Sequence, residues 1–327
     1  MNDLPLSLPQ HGGDLVAAEA RWGKPAQGWL DLSTGINPWP YAVGHVPAES
    51  WHRLPGLAEQ DGLRRAAAES YGCMAENVFA GPGSSSLITA LARCFSPRKV
   101  AVVSPTYGEH ALAWKAAGHA VAEVGVPADA AGAEVLVLVN PNNPDGRSHD
   151  PERVLALCES FPLVVVDEAF GEVAPKLSVS AHLRPGLVVL RSFGKFYGLA
   201  GLRLGFCLAQ PDLVAQMAAQ WGPWPVSGPA LVVGRAALAD RVWAEATRAH
   251  LANAAQRLDT VLTTAGLHAV GGTDLFRLVE HPDAAGVYDR LGRAGILVRA
   301  FAQRPDWLRF GLPGGEAALH RLRDALS

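Results

Sequence analysis

Four polar residues in this chain each follow an apolar run of strand length, and together they could do carbonyl–amine chemistry. Lys195 lies in SFGKFYGLAG, among Phe193, Phe196, Tyr197 and three glycines. A surface lysine usually sits among charges. Among aromatics, desolvation would lower the pKa of the amine and make it nucleophilic. Asp167 closes LVVVD, and a carboxylate there needs a cationic partner, either a protonated pyridine nitrogen or a nearby arginine. Asn143 lies in NPNNPDG, which reads as a turn in its own right or as a rigid mount for an amide aimed at a ligand oxygen. Gly83, Ser84 and Ser85 lie in GPGSSSLITAL, where a Gly-rich turn opens a helix. Free amides and hydroxyls there suit an anion, although an ordinary serine cap would look the same. Ser192 and Arg203 flank Lys195 and suggest a phosphate held beside the amine.

The lysine can be singled out because lysine is scarce. Only Lys24, Lys99, Lys115, Lys176 and Lys195 occur, against 23 arginines. The first four read as solvated surface amines.

These residues must be positioned by something, and the pattern around them is regular. Apolar strands at 78–80, 100–103, 135–139, 163–166, 187–190 and 203–208 alternate with helical segments at 59–71, 87–95, 109–117 and 151–160. That alternation predicts an α/β fold with a large, mostly parallel central sheet flanked by helices. Ligands of such sheets bind beyond the carboxyl ends of the strands, where all four residues fall. After about 210 the sequence turns Ala-rich and helical (211–220, 228–265). Two-state alternation then resumes in a smaller α+β block with strands at 275–279, 297–301 and 307–310 and helices at 284–294 and 316–326. The expected organisation is a Pro- and Gly-rich arm packing near the active site (1–40), a large α/β domain (41–225) and a small α+β domain (226–327), with WGPWPVSGP as a hinge.

The 327 residues are 49% hydrophobic and 18% charged with a net charge of −3. This composition excludes disorder and leaves no basic footprint for nucleic acid or an anionic membrane. The four cysteines form no C-x-x-C pair and read as reduced thiols in a cytoplasmic protein. No metal site is expected. The first residues lack the basic and apolar regions of a signal peptide, and no apolar run approaches a bilayer span.

The ordered set GSS, PTY, NPNNPDG, VDEAF, S-F-G-K and the following arginine resembles the fold-type I pyridoxal-phosphate enzymes of the class I/II aminotransferase superfamily. The resemblance runs from about residue 30 to 310. It implies pyridoxal 5'-phosphate as cofactor and Lys195 as the Schiff-base lysine. Asp167 would face the pyridine nitrogen, Asn143 the ring oxygen, and Tyr107 the ring face. Gly83, Ser84, Ser85, Ser192 and Arg203 would hold the phosphate. Arg309, in WLRFGLP, would take the substrate carboxylate. HGGD at 11–14 and LDLSTGINPWP at 30–40 are similar to the threonine-phosphate decarboxylases of cobalamin biosynthesis. This likeness implies decarboxylation of L-threonine O-3-phosphate, with His11 and Asn37 lining the substrate pocket and Arg299 on the substrate phosphate. It also implies a homodimer.

Two positions depart from the related aminotransferases. Phe170 stands where they carry Tyr in VDEAY, and Leu54 stands where they carry Tyr in Arg-Tyr-Pro. A histidinol-phosphate type of aminotransferase, using the same lysine, and a non-catalytic module of the cobalamin pathway remain alternative readings.

Overall fold

The computed structural model describes residues 11–327. The chain forms two compact units. One gathers the described residues up to Trp39, Pro144–Gly146 and Ala246–Ser327; the other gathers Pro40–Asn143 and Arg147–Glu245.

The arm already carries regular structure. Helix α1 (Leu15–Trp22) is capped by Asp14, which accepts from the Ala17 amide at 2.9 Å, and Gly23 at φ +83° ends it. Strand β1 (Leu30–Leu32) pairs parallel with a strand near the other end of the chain. Three residues are too few to show a period, so the sequence pattern there looked featureless.

The large unit then runs α2 (Glu49–His52), α3 (Leu57–Tyr71), β2 (Val78–Gly81), α4 (Ser84–Ala92), β3 (Lys99–Val103), α5 (Glu109–Ala116), β4 (Ala120–Val124), β5 (Val135–Val139), α6 (Pro151–Ser160), β6 (Leu163–Asp167), β7 (Leu187–Ser192), α7 (Phe193–Phe196), β8 (Gly205–Leu208), α8 (Pro211–Ala219) and α9 (Gly228–Ala239). Its seven strands lie in the order β2-β8-β7-β6-β5-β3-β4, and β8 alone runs against the rest. Runs such as Val135–Val139 are buried at every position because helices cover both faces. On one face Leu87, Ile88 and Leu91 of α4, Trp114 of α5 and Met217 of α8 pack on Val100, Val137, Val165 and Leu190.

The unit boundary falls later than the expected 225. Helix α9 stays with the large unit because it seats directly on α3: a Cβ on Gly234 would come within 3.0 Å of Leu63. The 228–265 stretch is also two helices rather than one. Asp240 interrupts it and caps α10 (Arg241–Thr264) by accepting from the Trp243 amide at 2.9 Å.

The small unit continues with β9 (Ala269–Thr273), β10 (Phe276–Glu280), α11 (Ala284–Arg293), β11 (Ile296–Phe301), β12 (Arg304–Gly311) and α12 (Glu316–Leu326). Its sheet has the order β1-β11-β12-β10-β9, antiparallel except where β1 joins β11. The arm is therefore a structural part of this unit.

Candidate active site

The large unit holds a cavity at the carboxyl ends of its strands. Its wall brings together Gly83, Ser84, Ser85, Tyr107, Asn143, Asp167, Ser192, Lys195 and Arg203, the whole expected set of cofactor and lysine residues.

One end of the cavity is built for an anion. The serines form the first turn of α4 rather than a loop ahead of a helix starting at 87, so their amides have no preceding carbonyl to meet. The cap is Gly83 at φ +89°, with no side-chain bond to those amides. A Cβ on Gly83 would lie 2.7 Å from Nη2 of Arg203, and one on Gly205 would lie 2.5 Å from the Ser84 nitrogen. Both glycines therefore keep the approach to the helix end open. Arg203 is the one non-glycine residue at positive φ (52°) among the described residues, a conformation costing on the order of 1–2 kcal/mol. It is a left-handed cap rather than the start of β8. That backbone turns its guanidinium toward Gly83. Ser192 ends β7 and caps α7.

The middle of the cavity is polar and braced. Asp167 is 2% exposed. Its Oδ1 accepts from the Ala169 amide and its Oδ2 is 2.9 Å from Nε2 of the fully buried His110. NPNNPDG divides its work: Asn140 bonds the backbone of His149 in both directions, and Asn142 bonds Thr106 and the Pro105 carbonyl. These two pin the turn, and half-buried Asn143 is left facing the cavity. The Tyr107 hydroxyl lies 3.3 Å from Ser85 Oγ. Burial pushes its pKa up, and the Ser85 bond works against that shift.

Lys195 stands on α7, one helical turn beyond β7. It is half-buried, with Nζ 5.9 Å from the centre of the Phe170 ring, whereas Lys24, Lys99, Lys115 and Lys176 are all exposed. Its helix is anchored by aromatic packing. Tyr197 stacks on Phe193 (centroids 4.2 Å apart) and on Trp243 (5.6 Å), and Phe196 meets Trp243 edge-on.

The four substrate candidates all belong to the small unit. Arg309 on β12 is 7% exposed and faces Arg299 directly across the β11–β12 ladder. Opposed residues in such a ladder share a face, and like charges there repel. Burial, with Arg299 adding to it, pushes the Arg309 guanidinium down to about 9, and burial lowers Arg299 as well. Asp31 partly offsets the Arg309 shift. Arg309 Nη2 donates to the Ser33 carbonyl at 2.8 Å. Ser33 is in turn gripped by the arm: its Oγ accepts from the Gly13 amide at 2.7 Å, and a Cβ on Gly12 would lie 2.4 Å from its carbonyl oxygen. HGGD is thus fitted around the residue that orients Arg309, with His11 exposed beside it. Asn37 is buried, and its Oδ1 accepts from the Trp39 amide.

Comparison with known proteins decides the family. The family model for aminotransferase class I and II matches residues 45–326. The chain belongs to the class I and II aminotransferase family. Within reach of this family, it is 46% identical to a threonine-phosphate decarboxylase of a Sinorhizobium species over 326 residues, 97% of each chain. It is likewise 46% identical over 325 residues to the threonine-phosphate decarboxylase of Pseudomonas aeruginosa, again 97% of each. Among solved structures, the histidinol-phosphate aminotransferase of Sinorhizobium meliloti in complex with pyridoxal-5'-phosphate superposes with a TM-score of 0.82 at 24% identity, covering 99% of this chain and 96% of that one.

As a member of the class I and II aminotransferase family, the chain fits the family's cofactor at each point the cavity offers. There is an open helix end for a phosphate, a braced carboxylate for a ring nitrogen, an amide for a ring oxygen and an amine for an aldehyde. Sequence reasoning passed over His110, although it stands three residues after Tyr107. It also passed over Ser33, which directly follows β1. A polar residue just beyond a strand end was the available signal for Ser33, whereas His110 lies on α5 and offered only its nearness to Tyr107. Phe170 is buried in the cavity wall and Leu54 is exposed, so neither supplies a hydroxyl to the site. No cluster of three metal-ligating side chains occurs among the described residues, and no helix there is long and apolar enough to cross a membrane.

Proposed function

We propose that this protein is a pyridoxal-phosphate-dependent lyase that decarboxylates L-threonine O-3-phosphate to (R)-1-amino-2-propanol O-2-phosphate, a step of cobalamin biosynthesis. The observation that carries the choice of substrate is the Arg299–Arg309 pair, two opposed and partly desolvated guanidiniums in one ladder. Such a pair is costly alone and is relieved by a ligand with two anionic groups, here a carboxylate and a phosphate. The likeness to two threonine-phosphate decarboxylases over nearly their whole length supports the same reading.

The chain's residues divide the work as follows. Ser84, Ser85, Ser192, Arg203 and the amides opening α4 hold the cofactor phosphate. Asp167, backed by His110, pairs with the ring nitrogen. Asn143 donates to the ring oxygen, and Tyr107 covers the ring. When bound, the cofactor supplies an electron sink for the bond that breaks. Lys195 holds the cofactor through its amine and, once released, moves protons at the substrate Cα. Arg309 is assigned to the α-carboxylate and Arg299 to the substrate phosphate. Fixing those two anions selects the Cα–carboxylate bond for cleavage: CO₂ leaves, and a proton takes its place on Cα. Binding energy from the remote phosphate supports that orientation. A homodimer is part of the proposal, as is a cytoplasmic location.

The test is incubation of cofactor-loaded protein with L-threonine O-3-phosphate. CO₂ and aminopropanol phosphate should form in equal amounts, and Lys195→Ala should abolish both together with the visible absorbance band. Accumulation of pyridoxamine phosphate and an oxo acid would instead make the protein an aminotransferase. A cofactor-saturated protein with no band would make it a non-catalytic module.

A further inference from the structure

Behind Asp167 and Ser192 lies a cluster of buried charges that the reaction does not use. Side chains alternate along a strand end, so the residues next to these two point the other way. Those neighbours are Glu168 and Arg191, 0% and 4% exposed. Glu168 extends the β6–β7 ladder by one bond, its amide donating to the Leu190 carbonyl at 2.8 Å. Arg191 Nη1 donates to Glu168 Oε2, and its Nη2 lies 2.9 Å from Oε1 of buried Glu172. Glu168 also accepts from Ser178 Oγ at 2.6 Å and from the Val179 amide at 2.8 Å. Tyr71, whose ring lies 4.5 Å below the guanidinium, and Cys73 are the other titratable groups facing Arg191. Gly171 makes the room, since a Cβ there would lie 2.8 Å from Nη1.

A buried ion cluster is poor evidence for stability, because well-packed apolar residues often do as well. What it does provide is directional cross-linking. This cluster ties the strand end that carries Asp167 to the strand end that leads, four residues on, to Lys195. We propose that Arg191 is a positioning residue: gripping Glu168 and Glu172 with its two-armed guanidinium, it fixes the separation of Asp167 from Lys195. The inference rests on the cofactor reading above. Lysine cannot replace the fork, because a point charge on a flexible stem grips one carboxylate at a time.

The test uses Arg191→Lys, which keeps the charge and loses the fork. Gly171→Ala, which displaces the guanidinium without removing it, serves as a second variant should the first fail to fold. Three readouts are taken on protein with a wild-type-like unfolding transition: hydrogen exchange of peptides spanning 167–173 and 190–197, the pH midpoint of the visible band of the lysine–cofactor adduct, and steady-state kinetics with L-threonine O-3-phosphate. The expected result is faster exchange in both peptides, a displaced midpoint, and kcat lower by about 10- to 100-fold with KM changed less than about threefold, as for a misplacement near 1 Å. Unchanged exchange overturns the clamp. Faster exchange with an unmoved midpoint and unmoved kcat reduces the cluster to a structural one and overturns the positioning role. A wild-type protein that forms no band overturns the cofactor reading itself, which distinguishes that failure from the other two.

Discussion

Replacing Arg309 by methionine should make the protein more stable and useless to its substrate. The guanidinium is buried opposite Arg299, and its pKa falls well below the ordinary guanidinium value, to about 9. At about 1.36 kcal/mol per pH unit, holding it charged costs the folded state on the order of 4–5 kcal/mol. Methionine fills similar space without charge, but leaves the Ser33 carbonyl without its donor, a loss of about 1–3 kcal/mol. The balance favours the variant by about 1–4 kcal/mol, or a few degrees in unfolding midpoint for a chain of this size. The sign of the pH dependence follows. Arg309 is a cation with a depressed folded-state pKa, so the cost is fully present below about 9. It is relieved as pH rises above about 9, because the folded state then releases the proton before the unfolded state does. The stability gap between Arg309→Met and wild type should therefore narrow above about pH 9. Substrate affinity of the wild type should fall over the same range. The assay pairs scanning calorimetry of both proteins, without substrate, at several pH values with calorimetric titration of L-threonine O-3-phosphate. Loss of a charge-assisted carboxylate contact worth about 2–3 kcal/mol should weaken binding by about 30- to 150-fold. A variant that melts below wild type and still binds substrate would refute the argument that Arg309 is held at a cost for an anion.

The remaining predictions concern the cofactor cavity. Gly83→Ala should weaken cofactor binding by about tenfold or more in an absorbance titration, since the new Cβ must displace Arg203 and sits at φ +89°. His110→Phe, which removes the donor to Asp167 Oδ2, should lower kcat by about 10- to 100-fold in a CO₂-release assay with little change in thermal midpoint. Changing Lys24, Lys99, Lys115 and Lys176 to arginine together should leave both band and turnover at wild-type level, because all four are exposed.

Much of this site was legible before any coordinates. Val135–Val139 and Leu163–Val166 declare parallel, doubly covered strands, and the residues that follow them declare the crevice. Lysine scarcity isolates Lys195, and its aromatic neighbours Phe193, Phe196 and Tyr197 separate it from the other four. What escaped notice had weak local signals. β1 has three residues, α2 has four, and β9 reads AVGGT, so none displays a period. Asp240 splits the Ala-rich stretch at a single residue. Gly-Ser-Ser-Ser reads as a turn ahead of a helix beginning at Leu87, yet the serines are helical.

The sequence by itself determined which residues could react and in what order the strands present them, because residue type and apolar run length are local properties. Only the tertiary structure decided how those residues are supported. His110 reaches Asp167 across 57 positions, Arg309 meets Ser33 across 276, and Arg191 joins two strand ends that are neighbours only in the sheet. Such contacts depend on strand order and on the two units' separate packing. The pairing of Arg299 with Arg309 likewise follows from ladder register, which no local stretch of sequence specifies.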